Sequence, residues 1–395
     1  MAAAALLAFN YFVLNEIGKG GDFLTLWSGG RSFLFEHIEP YSAHVPVQVQ
    51  ESVYGRPARP GEEPFILDTP FYLLMLFFPL ALIPDPLWAR AVFALFAEAA
   101  LFGTVYWSIR LADWHPPPLV LLPYLAFAAV NFYVVEALSE GSLALLLGLL
   151  YVTILLGLVR GPHEQTGGLI ALTSFRWELG GAFLFWVGRR VVAFRHWRLI
   201  AGFAMAIFVL MAVSFFWYPG WVIPFLRAVL NNLRADFGFS TRQIIERYLP
   251  GYGTGLSWAA TAFLVVLLAR EWRTASGNPA RDMLWCACVT LAATPLLGQR
   301  TESGNLALLI LPWPVILQSM QERWKTAGSV LVVLLLALEV AGPWLLMRRG
   351  AAVFGMHADD LIFLFLPLTT LVGLYWMRWW ALRPPRTWAD QLPGR

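Results

Sequence analysis

Residues 327–346 read AGSVLVVLLLALEVAGPWLL, twenty residues with one charged side chain, Glu339. A run of about 20 apolar residues is what an α-helix needs to cross a bilayer. Similar runs recur outward from it in both directions. Toward the N-terminus they lie near 304–319, 282–297, 253–270, 199–217, 168–187, 141–160, 118–138, 87–110 and 66–83, and toward the C-terminus near 361–378. The segment Met1 to Leu14 lacks a basic leader and an obvious small-residue cleavage site, and reads as a first transmembrane helix.

Composition agrees with that reading. Of the 395 residues 58% are hydrophobic and 13% charged, against about 25% charged in soluble domains. Mean hydropathy is +0.62. The ~10-residue alternation of an outer-membrane barrel is not seen. The expected fold is an all-α polytopic membrane protein, a single transmembrane domain over 1–395. It should have 11–13 transmembrane or half-membrane helices. Residues 16–65 form a first outer loop with an amphipathic interfacial helix near Phe23 to Phe35, and 218–252 form a second.

The basic loop Gly188-Arg189-Arg190 with Arg195, His196 and Arg198, and a tail with Arg378, Arg383 and Arg386, read as cytoplasmic. The first loop, 218–252 and 298–303 then lie outside, in a multi-pass protein of the plasma membrane. Run 168–187 could cross once, or dip and return as two half-helices broken near Arg176; if Arg160 is also cytoplasmic, parity demands the second, which is the expectation. The net charge of +3 suits orientation rather than nucleic-acid binding. Cys286 and Cys288 read as packing residues within one apolar run.

Charge beside or within an apolar run is costly and marks candidate function. The candidates are Asp22, Glu36, His37, Asp68, Glu98, Glu136, Glu140, Arg176, Glu178, Arg300, Glu302 and Glu339. Asp22 stands out, because it falls just past the first crossing, where a carboxylate can stay ionised and take a proton from a hydroxyl. It could also simply cap a helix starting at Phe23. Arg176 and Glu178, two apart, should not pair on one helix face. There is no Walker-type loop, no Gly-x-Gly-x-x-Gly after a strand and no Gly-x-Ser-x-Gly elbow. No zinc-spaced ligand cluster is evident, so no metal and no cofactor is expected. An enzyme of this kind would draw on a lipid-borne activated substrate.

Asp22-Phe23 through Trp27, Gly30-Arg31 and Pro40-Tyr41 resembles the start of glycosyltransferase family 87. The likeness continues through Pro70-Phe71 to Pro84, Glu140-Gly141-Ser142, Gly167 to Leu172, and Gly188 to Arg198. It covers roughly 10–320. Arg176-Trp177 stands where the family usually has Lys-Pro, and Glu140-Gly141-Ser142 where it has a Gly-Gln or Gly-Asn step. The resemblance implies a GT-C fold and an inverting hexosyltransferase of the cell envelope. It would move a sugar, typically mannose, from a polyprenyl-phosphate donor to a hydroxyl of a glycolipid or glycan acceptor on the extracytoplasmic side. Asp22 would then be the general base, and Arg176 and Arg300 would hold the donor phosphate. Trp27, Arg31, Tyr41, Glu140, Glu178, Gln299 and Glu302 would line the sugar and acceptor sites. A transporter or flippase of a lipid-linked saccharide is the competing class, and needs a two-sided pathway.

Overall fold

The computed structural model describes residues 2–382 apart from 19, 162, 175, 236, 275–279 and 355–357. Arg383 and Arg386 lie outside the described residues. The protein is an all-α polytopic membrane protein, 82% helical. In chain order the principal helices begin with α1 (Ala2–Ile17), α2 (Gly21–Arg31) and α3 (His44–Tyr54). Then come α4 (Pro86–Leu111), α5 (Pro118–Val130), α6 (Phe132–Glu140), α7 (Ala144–Arg160) and α8 (His163–Thr173). They are followed by α9 (Trp177–Ala193), α10 (Trp197–Trp217), α11 (Val222–Arg234) and α12 (Thr241–Tyr248). The last are α13 (Gly253–Thr274), α14 (Ala280–Ala293), α15 (Trp313–Phe354) and α16 (Ala358–Leu382).

Six spans among the described residues are long and apolar enough to cross a membrane. They are α4, α5 with α6, α10, α13, α15 and α16. The expected 11–13 counted half-membrane helices too, and several further apolar runs do form shorter helices. Ala3–Ile17, Phe71–Ala81, Ala144–Arg160 and Asp282–Leu297 are of this kind. At 1.5 Å per residue the 16-residue α1 is only about 24 Å long, short of the ~30 Å hydrocarbon core. Run 66–83 is interrupted by a 3₁₀ turn at Met75–Phe77 and by Pro79. The long α15 is broken at Lys325, whose φ of 47° and ψ of −118° leave the helical region.

Local chemistry sets the boundaries. Asp85 caps α4 by accepting from the Leu87 amide (2.8 Å), with Pro86 at the first helical position, where no amide is needed. Asn131 ends α5 and caps α6, accepting from the Val134 amide at 2.9 Å. The core is apolar and continuous. The buried 3₁₀ segment Ser303–Ile310 runs through its middle, against α6, α7 and α16.

Run 168–187 is broken near Arg176. The α8 helix ends at Thr173 and α9 starts at Trp177, leaving Arg176 in the break between them. The α6 helix ends beside α2, where the Glu140 carboxylate accepts from the Gly20 amide at 3.4 Å. Arg176 shares a cavity wall with Asp22 of α2, so the break and the end of α6 meet at the α2 end of the bundle.

Candidate functional site

The start of α2 is held by three close packings. Gly20 has φ of 123°, which favours glycine, and a Cβ there would lie 2.6 Å from Nε of Arg90. Arg90 is buried and donates to the carbonyls of Leu14 (3.5 Å) and Ser139. Gly21 leaves room for the ring of Phe65. Phe23 sits on Gly141, where a Cβ would come within 2.4 Å of the Phe23 Cβ. The helix begins at Gly21 with Gly20 as its N-cap residue and no side-chain cap, so Asp22 is not the cap of a helix starting at Phe23. It lies in the first turn, where the helix dipole favours a negative charge. Its Oδ2 is buried and has no hydrogen-bond partner.

Asp22 opens onto a small cavity of 40 Å³, shared with Glu63, Asp68, Arg176, Asn232 and Glu302. A larger cavity of 520 Å³ adjoins it, lined by Glu178, Gln299 and Arg300, with Asp68, Arg176, Asn232 and Glu302 on both walls. The elements that place these groups are remote in sequence. Asp68 accepts from the Asn232 side chain of α11 at 2.8 Å. Glu302 follows Thr301, which pairs backbone to backbone with Phe239 through two 2.9 Å bonds. Just after it, Asn305 accepts from the Ser142 hydroxyl at 2.7 Å.

Arg176 and Glu178 do pair, at 3.1 Å. The helical-face argument against it fails because Arg176, with φ of −101° and ψ of 71°, stands outside α9. Nε of Arg176 and Oε1 of Gln299 are buried and without a hydrogen-bond partner.

Electrostatics follows from this crowding. The Asp22 carboxyl stands raised at about 6: burial is the largest cause, Arg176 pulls it down, and Glu140, Asp68 and Glu178 add to the rise. Burial, then each other's or Asp22's charge, pushes Glu63 and Glu302 well above the ordinary carboxylate range. Burial works against the charge on Arg176, but Asp68, Glu178, Asp22 and Glu302 outweigh it and hold the guanidinium protonated. Asp22, Glu63 and Glu302 each bring one oxygen within 4.8 Å of the others. The three are far apart in sequence and converge only on folding, so no ligand spacing marks them in the chain. An all-oxygen set suits a hard cation, although the Arg176 guanidinium facing the same cavity opposes one.

Other expected site residues lie elsewhere. Trp27 donates to the Ile83 carbonyl (3.1 Å), and Arg31 to that of Ala81 (3.3 Å) while lying over the Trp27 and Phe35 rings. Tyr41 donates to the Thr69 carbonyl at 2.9 Å. These three tie the first loop to 69–83 and line neither cavity. Glu140 stands behind α2 rather than in a cavity wall. Arg300 lines the larger cavity only, and one of its Nη groups donates to the Ala235 carbonyl. Asp22, Arg176 and Arg300 therefore do not line one cavity. Arg176 is the link between two.

Sequence reasoning missed Glu63 and Asn232, and left Asp68 among unplaced charges. Glu63 lies in the Pro- and Gly-rich stretch, next to Glu62. Arg56 engages Glu62 through two 2.7 Å bonds, and only Glu63 is turned toward Asp22.

The family model described as Glycosyltransferase family 87 matches residues 67–295. The matched span contains Asp68, Glu140, Arg176, Glu178 and Asn232, and stops short of Asp22, Glu63, Gln299, Arg300 and Glu302. No curated protein matches the chain.

Proposed function

Since the chain belongs to glycosyltransferase family 87, a family of membrane glycosyltransferases, we propose that it transfers mannose from a polyprenyl-phosphate donor to a hydroxyl of a cell-envelope glycolipid or glycan. In this reading its helices follow the GT-C plan, and the reaction occurs on the extracytoplasmic face of the plasma membrane. Supporting it most is the unpaired, buried Asp22 oxygen, which faces Arg176 across a cavity too small for anything but the reacting group. The adjoining 520 Å³ falls within the ~300–1,000 Å³ of ordinary ligand pockets, which suits a hexose with its phosphate.

The acceptor hydroxyl gives its proton to Asp22 as its oxygen bonds to the anomeric carbon. The anomeric carbon–oxygen bond to the phosphate breaks on the opposite side, and the electron pair leaves with polyprenyl phosphate. The configuration inverts. Arg176, and Arg300 on the outer wall, hold the phosphate and stabilise its growing charge. A phosphate leaving group needs no separate acid. Glu178, Gln299 and Glu302 meet the sugar and acceptor hydroxyls. The direct test is purified protein with polyprenyl-phosphomannose and candidate acceptors, followed by product mass analysis. A product one hexose heavier is expected, and none with Asp22→Asn. Wild-type turnover by that variant would remove Asp22 from the mechanism. A flippase needs the same groups reachable from both membrane faces, whereas both cavities draw their walls from the α2 end.

A further inference from the structure

Helices α11 and α12 connect α10 and α13. The apolar windows of these two spans are only 11% and 22% buried, as suits spans that face lipid. On α11 the side chains of Ile223, Leu226, Leu230 and Leu233 are each more than half exposed. Their spacing of three, four and three residues puts them on one face. Arg227 and Arg234, also exposed, run along one edge of that stripe, seven residues apart. The opposite face is committed inward. Ala228 is buried, Phe225 packs on Tyr41 and Trp221, and Asn232 donates to Asp68. The exposed rings of Trp217 and Tyr252 lie just beyond the two helices, as in the aromatic belt of a membrane boundary.

We propose that α11 is seated in the headgroup–acyl boundary of the bilayer. Its leucine stripe lies in hydrocarbon, Arg227 and Arg234 stand at the level of the lipid phosphates, and its inner face forms a wall of the acidic cavity. The apolar surface on α11 adjoins two lipid-facing spans, and the basic edge matches anionic headgroups. One helix, about 10 Å across, then separates lipid from the cavity. Val229 and Leu233 line that cavity, and Leu233 also belongs to the exposed stripe. The hydrocarbon chain of a lipid-borne donor leaves the cavity over these two residues. This last clause rests on the donor reading above.

The seating is tested by spin labels on Leu226→Cys, Leu230→Cys and Asn231→Cys in phosphatidylcholine–phosphatidylglycerol vesicles. Native Cys286 and Cys288 are buried. Oxygen should relax the labels at 226 and 230 while aqueous nickel does not, with the reverse at 231. Nickel access at all three would put α11 in water and overturn the proposal. The chain path is tested with Leu233→Gln. Relative to wild type, kcat/KM for a long-chain polyprenyl-phosphate sugar should fall about tenfold more than for a short, water-soluble prenyl-phosphate sugar. An equal change for both donors would overturn that path. If wild type used neither donor, the donor reading would fail, while the spin labels would still decide the seating.

Discussion

At the scale of single residues, the transfer proposed above turns on the state of one oxygen. Asp22 titrates near 6 because burial outweighs the pull of Arg176. Transfer should therefore decline as pH falls through about 6, as the base becomes protonated. A pH profile of kcat/KM measures this directly, and an acid limb at the ordinary carboxylate position would contradict it. The same shift bears on stability. The folded-state value lies above the unfolded value, so folding penalises the charged form. Stability is greatest below about pH 4 and is lost as pH rises through about 6. Asp22→Asn should raise the melting temperature near neutral pH, by on the order of 3 kcal/mol in stability, with the gain vanishing toward pH 4. Thermal denaturation at the two pH values measures the difference. Asp22 was legible because a carboxylate just past the first apolar stretch is conspicuous. Glu63 was not, since nothing in Glu62-Glu63 says which of the two Arg56 will engage.

Elements decide whether such residues meet. The α2 helix is seated by contacts that leave no room for a methyl group at Gly141, whose φ is 71°. Gly141→Ala adds a strained left-handed residue, about 1–2 kcal/mol, and overpacking against Phe23, about 1–3 kcal/mol. It should lower the melting temperature and reduce kcat more than it changes KM, as α2 shifts Asp22. Retention of wild-type values on both counts would mean that the seat is loose. The α8–α9 break puts Arg176 between two cavities, so Arg176→Ala should raise the KM for lipid donor tenfold or more. An unchanged donor titration would leave Arg176 a structural partner of Glu178 only. The break itself was readable from orientation parity. The Arg176–Glu178 pair was not, because helical spacing rules stop at a residue that leaves the helix. Trp27, Arg31 and Tyr41 resembled site residues in sequence, yet backbone carbonyls at 69–83 engage their polar atoms.

For the molecule as a whole, hydropathy made the membrane class plain and blurred the number of crossings. Length sums alone could not show where Gly, Pro and 3₁₀ turns cut the runs. Sidedness yields its own prediction. Arg59 and Arg195, both exposed, lie respectively in the first loop and in the basic loop after α9. In right-side-out vesicles an impermeant maleimide should label Arg59→Cys, and Arg195→Cys only after permeabilisation. The opposite pattern would turn the acidic site toward the cytoplasm. The span recognisable by likeness begins at residue 67, downstream of the carboxylate to which we assign the acceptor proton. A polypeptide trimmed to that span would keep Arg176 and Asp68 but lose their counterpart, and Gly141 would face a vacant groove where Phe23 now rests. It would still pass for a relative when compared by sequence, yet lack the base proposed here for transfer. Cloning boundaries for this protein should therefore be drawn upstream of α1.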